Sequence, residues 1–330
     1  MIISKTPFRI SFFGGGTDYP GWHNHHQGKV ISVTIDKYSY VMVKYLPELF
    51  DYNYRIRYYE TERVKNISDI SHPTVKNFLK FSHNKNKLDI LYFSDLVAMS
   101  GIGSSSAFTV GLINSYYNFF KKKIDKYQIF KLAIHVEQNL NKESVGSQDQ
   151  VSCAIGGFNS INFFKKDISI LNLNKFSDNI KKIENSMLFF YVGKRKSTSL
   201  IGSKDLLGRL KKKENLLSLN RIYETANEAE KLIKSKNFSE KEFGELLHVS
   251  WIYKKESSSK ITTDKIDEIY NIAKNNGAYG GKLLGSGGGG FMILLANPHL
   301  HKKIMNKLKQ VCFVDINFIK SGSEITYNLA

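Results

Sequence analysis

From the first residues, apolar and polar positions alternate along the chain. Arg9 and Ser11 stand between Phe8, Ile10 and Phe12 in a β-prone stretch that predicts a strand over 2–13. Further β-prone stretches predict strands over 30–35, 38–46, 54–60 and 89–95, with a helix over 72–83. The period then lengthens. Phe108, Leu112, Ile113, Tyr116 and Phe120 stand at helical spacing and predict a helix from Ser104 to Phe120, followed by a second from Lys126 to Asn141. A loop over 142–146 leads past Gly156-Gly157 into another strand, and the unbroken apolar run Met187-Leu188-Phe189-Phe190-Tyr191-Val192 predicts a buried one. Helical patterns follow over 214–236, 240–256 and 262–276. A strand over 278–284, a glycine loop, a strand over 290–296, a helix over 298–310 and a strand over 312–319 complete the pattern. This order predicts an α+β chain in which an antiparallel sheet is backed by helices, and the pattern changes character between 1–180 and 181–330, within Asn174–Glu184. No internal repeat is evident.

Composition narrows the class only slightly. At 330 residues and 42% hydrophobic content the chain can bury one large core or two ordinary ones. No apolar run approaches the roughly 20 residues of a membrane helix, and the start lacks a signal-peptide core, so a membrane role is not expected. Cys153 and Cys312 are the two cysteines and lie far apart, which fits a reducing, cytoplasmic setting. The formal charge of +18 is dispersed in short clusters such as Lys121-Lys122-Lys123, without a nucleic-acid-binding motif. A positive field serves anionic small molecules equally well.

Three segments interrupt the pattern with small residues. Ser100-Gly101-Ile102-Gly103-Ser104-Ser105-Ser106-Ala107 runs directly into the helix at 104. Glycine lets backbone approach a ligand closely, and a helix start offers free N–H groups and the positive end of the dipole, a combination that takes phosphate. The plain alternative is a serine-capped helix behind a glycine turn. The second segment, Gly14-Gly15-Gly16-Thr17-Asp18-Tyr19, makes a tight turn after the first strand, with Arg9 and Asp18 on either side. The third, Gly280 to Phe291, reads as a loop between strands. Its Gly285-x-Gly287-x-x-Gly290 has the form of a dinucleotide fingerprint, but a strand follows where a helix should, and no P-loop sequence is present; both are excluded.

Taken in order, the three segments resemble the motifs of the GHMP kinases, the family of galactokinase, homoserine kinase and mevalonate kinase. Pro7-Phe8-Arg9 to Tyr19 is similar to the first motif. Val97 to Ala107 resembles the second, with Val97 for proline, Ile102 for leucine and an added serine; Lys282 to Gly290 resembles the third, with Ser286 for alanine. The resemblance implies a two-domain fold, with a ribosomal-protein-like amino-terminal domain that binds ATP and magnesium and a ferredoxin-like carboxyl-terminal domain. It implies ATP as phosphoryl donor, cradled by Gly101, Ile102, Gly103, Ser104, Ser105, Ser106 and Ala107. Magnesium would be held by the Ser105 hydroxyl, with Ser106 as a neighbouring possibility, and by Glu137. Asp149, in Gly146-Ser147-Gln148-Asp149-Gln150, matches the catalytic aspartate, and Arg9 would keep it ionised. Asp18 matches a sugar-binding aspartate, with Gly15, Gly16, Thr17, Tyr19, Gly287 and Gly288 around the same pocket. Plainer readings stand beside these: Glu137 as an exposed helical glutamate, Asp149 as a helix cap, and His23, His25 and His26 as solvated loop residues rather than a metal site.

Within the family the pattern is most similar to the heptose 7-phosphate kinases, since Gly15-Gly16 stand where galactokinases carry Glu-His. That implies phosphorylation of the anomeric hydroxyl of D-glycero-D-manno-heptose 7-phosphate to the 1,7-bisphosphate, a precursor of nucleotide-activated heptose for surface polysaccharide. The phosphate already on such a substrate needs cations: Lys194, Arg195 and Lys196 first, Lys282 second. Another sugar-1-kinase, of fucose or galactose type, and a catalytically silent sugar sensor are the alternatives. The joint presence of Ser105, Glu137, Asp149 and Arg9 weighs against the sensor.

Overall fold

The computed structural model of the chain describes residues 1–194, 213–256 and 261–329. In order, its elements are β1 (Ile2–Phe13), α1 (Pro20–His23), β2 (Gly28–Tyr45), β3 (Tyr54–Arg57), β4 (Thr61–Val64), α2 (Pro73–Phe81), β5 (Leu88–Ser94), α3 (Ser104–Phe119), α4 (Lys126–Ile134), α5 (Gln148–Ile155), β6 (Phe158–Phe164), β7 (Asp167–Asn172) and α6 (Ser177–Asn185). There follow β8 (Met187–Gly193), α7 (Lys213–Lys234), α8 (Glu240–Glu256), α9 (Asp264–Asn275), β9 (Ala278–Leu283), β10 (Gly290–Ala296), α10 (His301–Lys307), β11 (Cys312–Phe313), β12 (Phe318–Ile319) and β13 (Glu324–Asn328). Among the described residues these strands make two sheets. The first runs β13-β1-β2-β5-β3-β4, with β6, β7 and β12 attached through β2; the second runs β11-β8-β10-β9. Pairing is antiparallel except between β3 and β5.

Several departures from the pattern have physical causes. The polar pair Asp36-Lys37 reads as a break, yet β2 passes through it unbroken. On one edge it stays paired to β1, while on the other it changes partner from β6 to β5. The helix expected to Asn141 ends as an α-helix at Ile134 and continues as a π-helix over His135–Leu140. The single strand expected over 312–319 is two: Cys312–Phe313 joins β8 in the second sheet and Phe318–Ile319 joins β2 in the first. β13 and α6 have no counterpart among the expected elements; β13 is held by pairing with β1, and α6 turns Ile180 and Ile183 to the core. Residue 180, the expected meeting point, lies inside α6, and the last two strands return to the first sheet.

The core joins the two halves. Phe12 on β1 stacks on Phe158 at 5.6 Å and meets Phe243 of α8 edge-on at 5.6 Å, while Phe13 meets the same Phe243 at 5.2 Å. Helix α3 is buried on nearly its whole circumference, so its small polar residues Ser106, Asn114 and Ser115 are buried with its apolar ones and hydrogen-bond to neighbouring elements. A second cluster around Trp251, Tyr270 and Phe190 fills the space between α8, α9 and the second sheet. Helix α7 is also tied to the first sheet: Lys29 of β2 and Ser160 of β6 both donate to Glu230 at 2.7 Å. The loops that follow β5 and β9 meet across the seam.

Candidate active site

The strand that begins the chain also places its chemistry. The β1–β2 ladder shifts register between Pro7 and Arg9, and there the Arg9 N–H donates to the Ile102 carbonyl at 3.2 Å. The Arg9 side chain, 3% exposed, crosses the same gap. Its Nε and one terminal nitrogen donate to the two Asp149 oxygens at 2.7 and 2.8 Å, and the other terminal nitrogen donates to the Gly101 carbonyl at 2.7 Å. Asp149 lies in the first turn of α5, where the dipole favours a negative charge. Its carboxylate faces Arg9 rather than the helix's free N–H groups.

The small-residue loop sits directly on this pair. Gly103 caps α3 in the left-handed region (φ 78°), and a Cβ there would lie 3.3 Å from Asp149 Oδ2 and 3.4 Å from Arg9 Cγ. The third segment backs the loop from the other side. Phe291 N–H donates to the Ser100 carbonyl at 2.9 Å. A Cβ on Gly101 would come within 2.6 Å of the Leu284 carbonyl, and one on Gly285 within 2.5 Å of the Gly101 Cα, so neither position accommodates a side chain. Lys254 of α8 fastens the third segment by donating to the carbonyls of Gly285 (2.6 Å) and Leu283 (3.2 Å).

Asp18 is fully buried. Its oxygens accept from Gly16 N–H at 2.9 Å and Gln148 N–H at 3.2 Å, so it serves as a distant cap for α5. Burial pushes its carboxyl up to about 6; the Gly16 and Gln148 N–H groups pull down and the charge on Asp149 pushes further up. Gly146 is glycine because any Cβ would overlap Asp18 Oδ2. Thr17 is buried, and its hydroxyl closes the turn by donating to the Gly14 carbonyl at 2.8 Å and accepting from Lys29 N–H at 3.0 Å. The Tyr19 carbonyl accepts from Trp22 and His23 N–H groups, which starts α1.

Glu137 lies on the π-helix, a distortion common at functional sites, and is 1% exposed. Its Oε2 accepts from Ser106 Oγ at 2.9 Å and Gln150 Nε2 at 2.6 Å. Its Oε1 is buried with no partner among the described residues. Burial raises the carboxyl to about 7 against hydrogen bonds from Thr109, Ser106 and Gln150, with Glu143 adding to the rise. Sequence reasoning favoured Ser105 as the hydroxyl beside this carboxylate. The helix turns Ser105 outward, where it is exposed, and Ser106 inward. A hydroxyl, a carboxylate and an unpaired carboxylate oxygen are hard oxygen donors of the kind Mg²⁺ takes while keeping waters and phosphate oxygens for its remaining positions. The residues present fit that ion.

Other expected residues stand differently. Lys282 is 4% exposed and its ammonium donates to the Phe12 carbonyl at 2.9 Å, beneath the site rather than open to it. Burial and the nearby Arg9 lower its pKa to about 7, with Asp18 opposing. Gly287 and Gly288 pack on Ile261, whose carbonyl accepts from Gly288 N–H at 3.0 Å. Lys194 is exposed, and Arg195 and Lys196 lie outside the described residues. His23, expected in a solvated loop, is 7% exposed and packs on Phe163 at 5.9 Å because α1 folds it inward; His25 and His26 are exposed. Among the described residues no three of His, Cys, Asp and Glu cluster as a metal site, and no helix is long and apolar enough to cross a membrane.

Arg9 and the small-residue loop thus meet at Asp149, with the Gly280–Phe291 segment packed behind the loop. The family profile described as GHMP kinases N terminal domain matches residues 70–157, and that of GHMP kinases C terminal matches 229–313. The chain belongs to the GHMP kinases. It is similar to a D-glycero-alpha-D-manno-heptose 7-phosphate kinase of Campylobacter jejuni, 28% identical over 97% of both chains. It is also similar to a mevalonate kinase of Methanocaldococcus jannaschii, 26% identical over 94% of this chain and 96% of that one. Among solved structures, a D-glycero-D-manno-heptose 1-phosphate kinase from Bacteroides thetaiotaomicron superposes with a TM-score of 0.79 at 19% identity, over 100% of both chains. A Lactococcus lactis galactokinase complexed with galactose gives 0.75 at 16%, over 98% of this chain and 94% of that one. These likenesses establish the two-domain α+β kinase fold. As a GHMP kinase, the protein is a phosphotransferase that uses ATP.

Proposed function

We propose that this kinase phosphorylates the anomeric hydroxyl of D-glycero-D-manno-heptose 7-phosphate, giving the 1,7-bisphosphate. The observation that carries the mechanism is the Arg9–Asp149 pair beneath Gly103 of the phosphate loop. In this reading the free N–H groups at the start of α3, with the loop from Gly101 to Ala107, take the phosphates of ATP. Asp149, held on both oxygens by Arg9, orients the sugar hydroxyl and accepts its proton as the bond to phosphorus forms. The same guanidinium fixes the Gly101 carbonyl, so base and phosphate cradle move as one unit. Asp18 accepts hydrogen bonds from ring hydroxyls of the acceptor. Ser106 and Glu137 would hold Mg²⁺; that ion, when bound, neutralises charge on the transferring phosphates.

Three features support the heptose assignment among sugars. Its full-length similarity to the Campylobacter jejuni enzyme is the first. The second is Gly15, where an added Cβ would meet only ordinary contacts, so the turn is free of the larger side chain that galactokinases carry. The third is the basic run Lys194-Arg195-Lys196 after β8, suited to an acceptor that already bears a phosphate. The chain is read as a two-domain enzyme acting on small molecules, with a sugar phosphate and ATP as partners. The deciding experiment measures ADP release with Mg²⁺ against heptose 7-phosphate, mannose 6-phosphate, fucose, galactose and mevalonate. Preference for an unphosphorylated sugar or for mevalonate would remove the heptose assignment.

A further inference from the structure

One corner of the first sheet holds more positive charge than its own acid balances. On β2, Val41 faces α3, where a Cβ on Gly111 would touch its side chain. Lys44, three residues further along the strand, therefore lies on the opposite face. That rung crosses four adjacent strands: Lys44 pairs with Asp89 of β5, Asp89 with Arg55 of β3, and Arg55 with Arg63 of β4. Residues paired in this way share a face. Arg57, next but one on β3, reaches back to the same acid. It donates to Asp89 Oδ2 at 3.0 Å, Arg55 does so at 2.6 Å, and the Lys44 ammonium stands 3.7 Å away. Asp89 is fully buried, yet the cations on it stay reachable: the side chains of Lys44, Arg55 and Arg57 are 37%, 20% and 32% exposed. Arg63 is exposed and forms no ion pair among the described residues.

Four cations around one carboxylate leave this corner strongly positive. Like charges placed directly opposite, as Arg55 and Arg63 are, work against the fold unless an anion joins them. The guanidinium groups are also held in advance. Asp89 fixes Arg55 and Arg57, and the Phe50 ring lies 5.1 Å from the Arg55 guanidinium, so little rotamer freedom remains to be lost on binding. The charge is confined as well, because the next rung along β5 is apolar, with Leu91 beside Met42 and Met42 beside Ile3. A nucleic-acid backbone needs a track of cations; a corner suits a compact anion. We infer that Lys44, Arg55, Arg57 and Arg63 form a second anion site that takes a small phosphate-bearing molecule of two or more charges, such as a diphosphate. Arginine forks grip phosphate oxygens in pairs, and the lysine adds a point charge. This corner is separate from the phosphate cradle. It lies at the start of β5 on the face away from α3, whereas the cradle lies beyond the end of β5, where α3 begins. The inference holds whichever acceptor the kinase uses.

The experiment titrates inorganic pyrophosphate into the full chain by calorimetry, with the ATP site filled beforehand by the non-hydrolysable analogue AMP-PNP. Wild type should bind pyrophosphate saturably under these conditions, and its melting temperature should rise as it does so. Arg57→Gln and Arg63→Gln should each weaken that binding by about tenfold or more, the loss of a charged hydrogen bond. Their affinity for AMP-PNP should stay within about twofold of wild type, which separates this corner from the cradle. In buffer free of polyvalent anions Arg63→Gln should melt no lower than wild type, because it removes a like-charge contact. A merely structural arginine would lower the melting temperature and leave pyrophosphate binding alone, and that result overturns the site. So does pyrophosphate that binds both variants as tightly as wild type. Pyrophosphate that binds wild type only when AMP-PNP is absent is a competitor at the cradle, and the second site then falls while the kinase reading stands.

Discussion

Asp149→Asn isolates the proposed base, since the change removes one charge and almost no volume. In the native site Arg9 spends its donors on both Asp149 oxygens and on the Gly101 carbonyl. Asparagine keeps one acceptor, so Arg9 retains two of those three contacts but loses its counter-charge. Losing a buried ion pair outright costs about 3–5 kcal/mol, and losing one charged hydrogen bond about 1.5–3 kcal/mol. The Asp149 side chain is 24% exposed, which places this change near the lower figure. At about 2 kcal/mol the thermal midpoint of a chain this long should fall by only about 3 °C, leaving the protein folded at assay temperature. Turnover is a separate matter. Without a carboxylate to accept the proton, kcat should fall by about 10²-fold or more, roughly 2.7 kcal/mol in barrier. KM for ATP should stay within about threefold, because the Arg9–Gly101 contact persists. The assay is ADP release at saturating sugar, on protein whose fold is verified by circular dichroism and thermal melting. A folded variant retaining more than about a third of wild-type kcat would refute Asp149 as the proton acceptor.

Three further outcomes follow from the same geometry. The Asp18 carboxyl lies at about 6 in the fold against roughly 3.9 for a free aspartate. The native state then binds the proton more readily than the unfolded chain, so stability falls as pH rises from about 4 to 6, by of order 3 kcal/mol in all. Asp18→Asn lacks that titration, so its unfolding free energy should be flatter over this range; parallel curves for the two proteins would refute the buried-acid account. Lys254→Met frees the Gly285 and Leu283 carbonyls that hold the third segment against the phosphate loop. Titration with ATP should show KM raised about three- to tenfold at unchanged sugar KM, and an unaltered ATP curve would show that the loop needs no such fastening. Glu137→Gln should raise the Mg²⁺ concentration for half-maximal rate by about tenfold. If the magnesium dependence is the same as wild type, Glu137 is not a ligand.

Much of this protein was legible in its sequence because it is local. The β-prone run over β1 and the helical spacing after Ser104 mark a strand and a helix, and both elements formed as expected. Motif order was enough to assign the family, because glycines at Gly101 and Gly285 are demanded by the close approach of two backbones. Other facts depend on partners remote in sequence. Asp36-Lys37 reads as a break until β1, β5 and β6 are in place to carry the strand through it. Ser105 and Ser106 are indistinguishable in composition, and only the rotation of α3 against the π-helix turns Ser106 to Glu137. Lys282 reads as a cation for phosphate, but the strand that bears it directs its ammonium to the Phe12 carbonyl. Residue types and spacing fixed which groups this chain has for phosphoryl transfer. Tertiary packing decided which of them share a cleft, because burial and pairing are set by neighbours that no local window contains.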